Sequence, residues 1–177
     1  MFRLFVALRP PLPMRQALLA IMGGFERARW QSDDQLHLTL RFIGEVDRHQ
    51  AADIAAALGG IYHPAFALKL DGLGCFDKKG RIDSLWAGVT PHDAIRSLHE
   101  RIDRALRRVG VAPDGRAFLP HITIARFARA SAPIAPLSAD LTMPPPIEAR
   151  FDHFHLYESD LGATGSTYSI IQRYPLT

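Results

Sequence analysis

Cysteine is nearly absent from this sequence: Cys75 is the only one in 177 residues. An internal disulfide framework and a cysteine-built zinc site are therefore both excluded. Long apolar runs are missing as well, and none approaches the roughly 18 residues that a membrane-spanning helix needs. The opening MFRLFVALRPPLP is interrupted by Arg9 and by prolines too early to read as a secretory leader. Lysine is scarce. Only Lys69, Lys78 and Lys79 among the 21 basic residues are lysine, and the rest are arginine. A guanidinium group can grip phosphate in two places and stack on a base, where an ammonium acts as a point charge. The net charge of +3 is nonetheless small, and an Arg- and Ala-rich composition alone does not name a partner. No linker, low-complexity tract or charge block divides the chain, so residues 1–177 are expected to form one domain. What is present, 47% hydrophobic and 22% charged residues, is the balance of a folded globular domain. A cytoplasmic, non-membrane protein is the expectation.

Alternation and turn signals place the elements. Phe2–Leu8 reads as a short apolar strand entering Pro10-Pro11-Leu12-Pro13, a rigid start for a helix over 13–28. Leu36 to Ile43 alternates, with Leu36, Leu38, Leu40 and Phe42 on one face. His37, Thr39, Arg41 and Ile43 occupy the other. This sets Phe42 among core positions and Arg41 beside His37 and Thr39. Asp47 and Gln50 open a helix that Gly59-Gly60 close. Strands over 65–73 and 84–89 flank a turn at Asp77-Lys78-Lys79-Gly80. Thr90-Pro91-His92-Asp93 begins a third helix, with Ile95, Leu98, Ile102, Leu106 and Val109 on its apolar stripe. Arg96, Arg101, Arg104, Arg107 and Arg108 fall off that stripe and read as a solvated face. Strands over 118–127, 147–158 and 168–174 complete the chain, and the prolines between Ser131 and Pro146 mark a loop excursion. The mixture indicates an α+β fold, with sheets covered on one face by helices.

These elements contain a repeat. A strand, a helix and a strand carrying His37-Leu38-Thr39-Leu40 are followed by a strand, a helix and a strand carrying His121-Ile122-Thr123-Ile124. Eight His and seven Thr in this length would give only about 0.3 His-x-Thr triplets by chance. On a strand, residues i and i+2 share a face, so each imidazole projects with its hydroxyl while Leu38 and Ile122 turn to the core. Two such pairs across a cleft suit an in-line displacement at phosphorus. One imidazole removes a proton from the attacking oxygen, the other protonates the departing one, and the hydroxyls hold the non-bridging oxygens. One pair by itself would be an ordinary half-buried strand; its repetition in matching context carries the reading.

With their flanks, these segments resemble the two-histidine phosphoesterase superfamily, and within it the RNA 2′,3′-cyclic phosphodiesterases also named 2′-5′ RNA ligases. RLFVAL, HLTLRFIGEV at 37–46, GLGCF, LWAGV, RAFLPHITIARF at 116–127, LYES and YPL carry the resemblance nearly end to end. It implies a bilobal fold of two pseudo-symmetric antiparallel-sheet lobes with outer helices and a central groove. His37 and His121 would be the catalytic pair, and Thr39, Thr123 and Arg126 the phosphate-binding residues. The implied reaction opens a 2′,3′-cyclic phosphate at an RNA terminus to a 2′-phosphate, with His121 activating water and His37 protonating the 3′ oxygen. A 5′-hydroxyl in place of water would give ATP-independent 2′-5′ ligation. No cofactor is implied, and a monomer is expected. Small cyclic nucleotides or ADP-ribose cyclic phosphate are the alternative substrates, and a non-catalytic RNA-binding module is the alternative from another class.

Around this centre the expectations are plainer. Arg41, His155 and Tyr157 are candidates for the substrate groove. Phe76 and Trp86 could stack on a base, but core packing is the expectation for both. His153-x-His155 lacks a third ligand at a metal-binding spacing, so no metal is assigned. His49, His63, His92 and His99 read as structural or exposed, and Cys75 as an inert small residue.

Overall fold

The structure is a computed structural model that describes residues 1–25, 27–128 and 142–177. Most of the proline-marked excursion expected at 131–146 lies outside the described residues. The chain runs β1 (Phe2–Leu8), α1 (Leu12–Ala20), β2 (Ala28–Trp30), a 3-10 turn at Asp33–Gln35, and β3 (Leu38–Val46). Then follow α2 (Arg48–Gly59), β4 (Phe66–Lys78), β5 (Arg81–Thr90), α3 (Asp93–Arg108), β6 (His121–Phe127), β7 (Glu148–Phe151), β8 (His153–Gly162) and β9 (Gly165–Pro175).

The helix expected over 13–28 stops at Ala20. Gly23 and Gly24 adopt φ of 130° and 84°, a region in which a side chain is strained, and the chain leaves the helical path. The released segment forms β2, which pairs with β6. Three residues are too few to display alternation, so this strand had no sequence signal. The strand expected over 147–158 is two strands. β7 pairs with β4, β8 pairs with β1, and the chain crosses between them at Asp152. The turn expected at 77–80 is only Lys79 and Gly80, because β4 runs on to Lys78; Thr90, expected to open α3, ends β5 instead, and His92 stands at the helix N-cap. The signals of α2 match the fold. Asp47 accepts from the Gln50 amide at 2.8 Å, Gly60 follows α2, and the five arginines off the α3 stripe are all exposed.

All pairings are antiparallel and join into one curled sheet in the order β7-β4-β5-β6-β3-β1-β8-β9, with β2 alongside β6. The two halves are related by a pseudo-twofold at the β3–β6 seam, where Leu38 pairs with Ile122. The lobes of the expected fold are the halves of this sheet, not separate sheets. A continuous core of Leu, Ile, Val and Phe lies beneath the helices and includes Leu38, Leu40, Ile122 and Ile124. Ile95, Leu98, Ile102 and Leu106 of α3 are fully buried in it. The opposite, concave face carries its own small cluster of Phe5, Ala7 and Tyr157 with Tyr168 packed against it. Among the described residues no helix is long and apolar enough to cross a membrane.

Each seam strand is irregular at the same place. In β3 the register steps from Thr39 opposite Ala7 to Arg41 opposite Val6, leaving Leu40 as an extra residue. In β6 it steps from Thr123 opposite Trp86 to Ala125 opposite Leu85, leaving Ile124 extra. A bulge of this kind reverses the facing of the residues that follow it, in β3 until a second step between Phe42 and Gly44 leaves Ile43 extra. Leu40 and Arg41 are consecutively buried, as are Ile124 and Ala125. The next residues, Phe42 and Arg126, therefore turn to the concave face with the histidines.

Candidate active site

His37 immediately precedes Leu38 and His121 immediately precedes Ile122, so both histidines flank the seam. Antiparallel pairing about Leu38–Ile122 sets Thr39 beside His121 and Thr123 beside His37. All four side chains lie on the concave face. The two rings are held alike. His37 Nδ1 lies 2.7 Å from the Gln35 carbonyl, and His121 Nδ1 lies 2.6 Å from the Leu119 carbonyl. A carbonyl can only accept, so Nδ1 carries the hydrogen in each ring, and Nε2 is left to take or give a proton.

Aromatic walls surround each imidazole. Phe5 and Tyr168 lie with ring centroids 5.0 Å from His37. Phe76 stands edge-on to His121 at 5.0 Å and Trp86 at 5.8 Å. Core packing was the expectation for Phe76 and Trp86, and the structure corrects it. Phe76 is exposed and Trp86 half-buried, both on the β4–β5 hairpin where it curls over the site. Gly74 makes this possible, because a β-carbon there would collide with the Trp86 indole.

Enclosure shifts the titration of both rings. Burial pulls His37 down from 6.5 to about 4, with the Arg126 and His121 charges acting in the same direction and the Gln35 carbonyl opposing. Burial likewise lowers His121, again helped by Arg126 and opposed by a backbone carbonyl, that of Leu119. Both imidazoles are thus neutral bases at neutral pH until an anion arrives.

A cavity of about 680 Å³ opens in front of His37, lined by Arg29, Arg116, Arg126, Phe42 and Tyr168 among others. The Arg116 guanidinium sits over the Phe42 ring at 5.6 Å and is itself held by Asp114 at 3.1 Å. Phe42, expected in the core, is 47% exposed in this cavity, because the Leu40 bulge turned it over. Arg41 is corrected by the same bulge. It is 4% exposed, and it reaches away from the groove to Asp103 Oδ1 at 2.8 Å and to the carbonyls of Phe42 and Ala112. Tyr157 is buried and stacks on Phe5 at 4.9 Å, where it backs the His37 wall. His155, 8% exposed, lines a separate cavity on the same face.

Arg3, Arg29, Arg116, Phe5 and Tyr168 were missed by the sequence reading. Arg3 and Phe5 share a strand face with Ala7 by simple alternation, which was a usable signal. Arg29 arrives on the three-residue β2 and Arg116 on a loop, where periodicity is silent. The remaining histidines are structural or exposed as expected. His63, His92 and His99 bond backbone carbonyls, with His99 also stacked on Phe118, and His49 is exposed. Among the described residues no group of three or more His, Cys, Asp or Glu side chains could hold a metal ion.

Known proteins are similar to this chain in sequence and in fold. The family model of the 2′-5′ RNA ligase superfamily matches residues 15–163. An RNA 2′,3′-cyclic phosphodiesterase of Thermotoga maritima is 34% identical over 146 residues, 81% of this chain and 77% of that protein. One of Escherichia coli K12 is 30% identical, covering 99% of this chain and 97% of that one. The crystal structure of Escherichia coli LigT with 3′-AMP superposes with a TM-score of 0.82 at 28% identity, covering 99% of this chain and 98% of that one. A crystal structure of a Thermus thermophilus protein gives a TM-score of 0.85 at 26% identity, over 98% and 97% of the two chains.

Proposed function

We infer that this chain, which belongs to the 2′-5′ RNA ligase superfamily, opens a 2′,3′-cyclic phosphate at an RNA end to leave a 2′-phosphate. One observation carries the reading: two His-x-Thr strands meet at a single residue pair, in a cleft whose charge comes from arginine. In the proposed reaction His121 Nε2 takes a proton from water as its oxygen attacks phosphorus. The P–O3′ bond breaks, and the 3′ oxygen receives a proton from His37 Nε2. Thr39 and Thr123 donate to the non-bridging oxygens, and Arg126 balances their charge. Each positioned acid or base is worth about 10²–10⁴ in rate, which is enough to proceed without a metal or cofactor. A 5′-hydroxyl in place of water forms a 2′-5′ linkage by the same route. In this reading residues 1–177 act as one cytoplasmic, monomeric domain.

The test is a purified protein incubated in EDTA with an RNA oligonucleotide ending in a 2′,3′-cyclic phosphate. A 2′-phosphate product is expected, at a rate unchanged by the chelator. Loss of turnover that zinc restores would overturn the metal-independent mechanism. Turnover of cyclic mononucleotides alone would move the substrate to small cyclic phosphates.

The titration shifts make a further prediction. The reaction needs His37 protonated and His121 neutral, and both free-enzyme pKa values lie below 6.5. The profile of kcat/KM, which reports the free enzyme, should therefore peak on the acid side and fall as pH rises through neutrality. A bound phosphate anion favours imidazolium and raises both values, so the kcat profile should peak at higher pH. Rates from pH 4 to 9 check this, and a kcat/KM optimum above pH 7 would contradict it.

A further inference from the structure

A second cationic cavity lies beyond the catalytic one on the concave face. It has a volume of about 400 Å³ and is lined by Arg150 of β7, His155 of β8, Arg173 of β9, and Arg9 and Arg15 from the start of the chain. Arg9 and Arg15 are held by Asp33 at 3.1 and 2.8 Å. Arg150 has no carboxylate partner among the described residues. The one carboxylate lining the cavity, Asp152, is 2.8 Å from His153 Nδ1, and the same nitrogen lies 3.1 Å from Arg173 Nη2.

His155 shows which way this cavity is built. Its Nδ1 is sealed from solvent and has no hydrogen-bond partner. An orphaned buried N–H is worse tolerated than an orphaned acceptor, so the hydrogen belongs on Nε2. The accessible edge of the ring therefore presents a donor to the cavity. Burial and the Arg173 charge hold the ring well below its usual range, at about 4, so that it stays neutral until an anion enters. Several guanidinium groups and a neutral N–H donor around one cavity form a phosphate-shaped donor set.

Its position names the source of the phosphate. His155 pairs with Ala7 and Tyr157 pairs with Phe5, which places the cavity on the same sheet face as the His37 wall. The ring centroids of His37 and Tyr157 are 6.2 Å apart, and those of Tyr157 and His155 are 5.9 Å apart. A middle depression joins the two cavities, sharing Arg9 with the outer one and Tyr168 and Ser166 with the catalytic one. A strand leaving the catalytic pocket meets the outer cavity within a few nucleotides.

We propose that the Arg150–His155–Arg173 cavity binds a backbone phosphodiester of the RNA strand on the 5′ side of the terminal cyclic phosphate, making an oligonucleotide the preferred substrate. This rests on the reaction inferred above and adds the substrate's length to it. The experiment compares the wild-type protein with Arg150→Gln, Arg173→Gln and the double variant; both residues are exposed, so the fold tolerates them. Binding of a fluorescent single-stranded RNA ending in a 2′-phosphate is measured by anisotropy over a range of salt. Turnover is measured with a cyclic-phosphate oligonucleotide and with 2′,3′-cyclic AMP. The double variant should bind the oligonucleotide about tenfold more weakly, with a salt slope shallower by about 0.7 for each phosphate no longer neutralised. Its kcat/KM should fall for the oligonucleotide and not for cyclic AMP. Equal losses on both substrates, or no loss on either, would overturn the proposal. Inorganic phosphate binding that depends on these arginines, with oligonucleotide binding unchanged, would also overturn it in favour of a free-anion site. RNA binding that depends on them in a protein that turns over neither substrate would sustain the site while removing the reaction.

Discussion

His37→Ala and His121→Ala are each expected to lower kcat on a cyclic-phosphate oligonucleotide by about 10²–10⁴-fold. The double variant should be little worse than either single one, because the acid and the base act within one displacement. Single-turnover rates measure this, and a single variant within tenfold of wild type would remove that histidine from the reaction. Thermal melting supplies the control, and it carries its own signature. His37 titrates at about 4 in the fold and near 6.5 when unfolded. Between those values the unfolded chain binds more protons, so this group's share of stability is lost as pH falls from 6.5 towards 4. His37→Ala should therefore melt with less acid sensitivity across that window than the wild type. A variant that loses activity while keeping the wild-type acid dependence would show that the ring is not buried as described.

Arg41→Met is expected to act on stability, in the opposite pattern. The guanidinium is 4% exposed and bonds Asp103 and two backbone carbonyls. Asp103 is 25% exposed and keeps Arg107 at 3.8 Å, so the cost is that of the lost charge-assisted bonds to Asp103 and to the Phe42 and Ala112 carbonyls, about 2–3 kcal/mol. Urea unfolding measures it. Turnover per folded molecule should stay within a few-fold of wild type. Arg41→Lys should rescue little, since an ammonium cannot reach three acceptors held in a plane. A stable variant with impaired turnover would return Arg41 to the groove, where strict alternation had placed it.

Arg41 and Phe42 show why part of the site was illegible. Their sequence alternates without a flaw, and period-two reasoning assigns one to the groove and the other to the core. One extra residue, Leu40, exchanges them. The corresponding extra residue in β6, Ile124, presents Arg126 to the cleft although it stands five positions after His121. Bulges depend on how a neighbouring strand is paired, which a local pattern does not encode. Phe76 and Trp86 failed for a related reason: an aromatic residue on a strand is apolar whether the sheet curls over it or away from it. The facing of helix α3, in contrast, was readable although its first residue was not, because the buried stripe of Ile95, Leu98, Ile102 and Leu106 with arginines opposite leaves one orientation against the core.

By itself the sequence determined the α+β class, the strand–helix–strand repeat and the coincidence of a histidine and a threonine on each seam strand. These follow from spacing, because a residue's facing within a regular strand or helix is set by the backbone's own period. The tertiary structure alone decided that the two halves share one sheet, that Leu38 and Ile122 meet, and that each imidazole shows Nε2 to the cleft. It also decided which arginines besides Arg126, already implied by the resemblance, face that cleft. Arg29, Arg116 and Arg126 come from a short strand, a loop and a bulged strand, and they converge only when the sheet curls. Convergence of residues far apart in the chain is a property of strand pairing and curvature, and no local periodicity carries it.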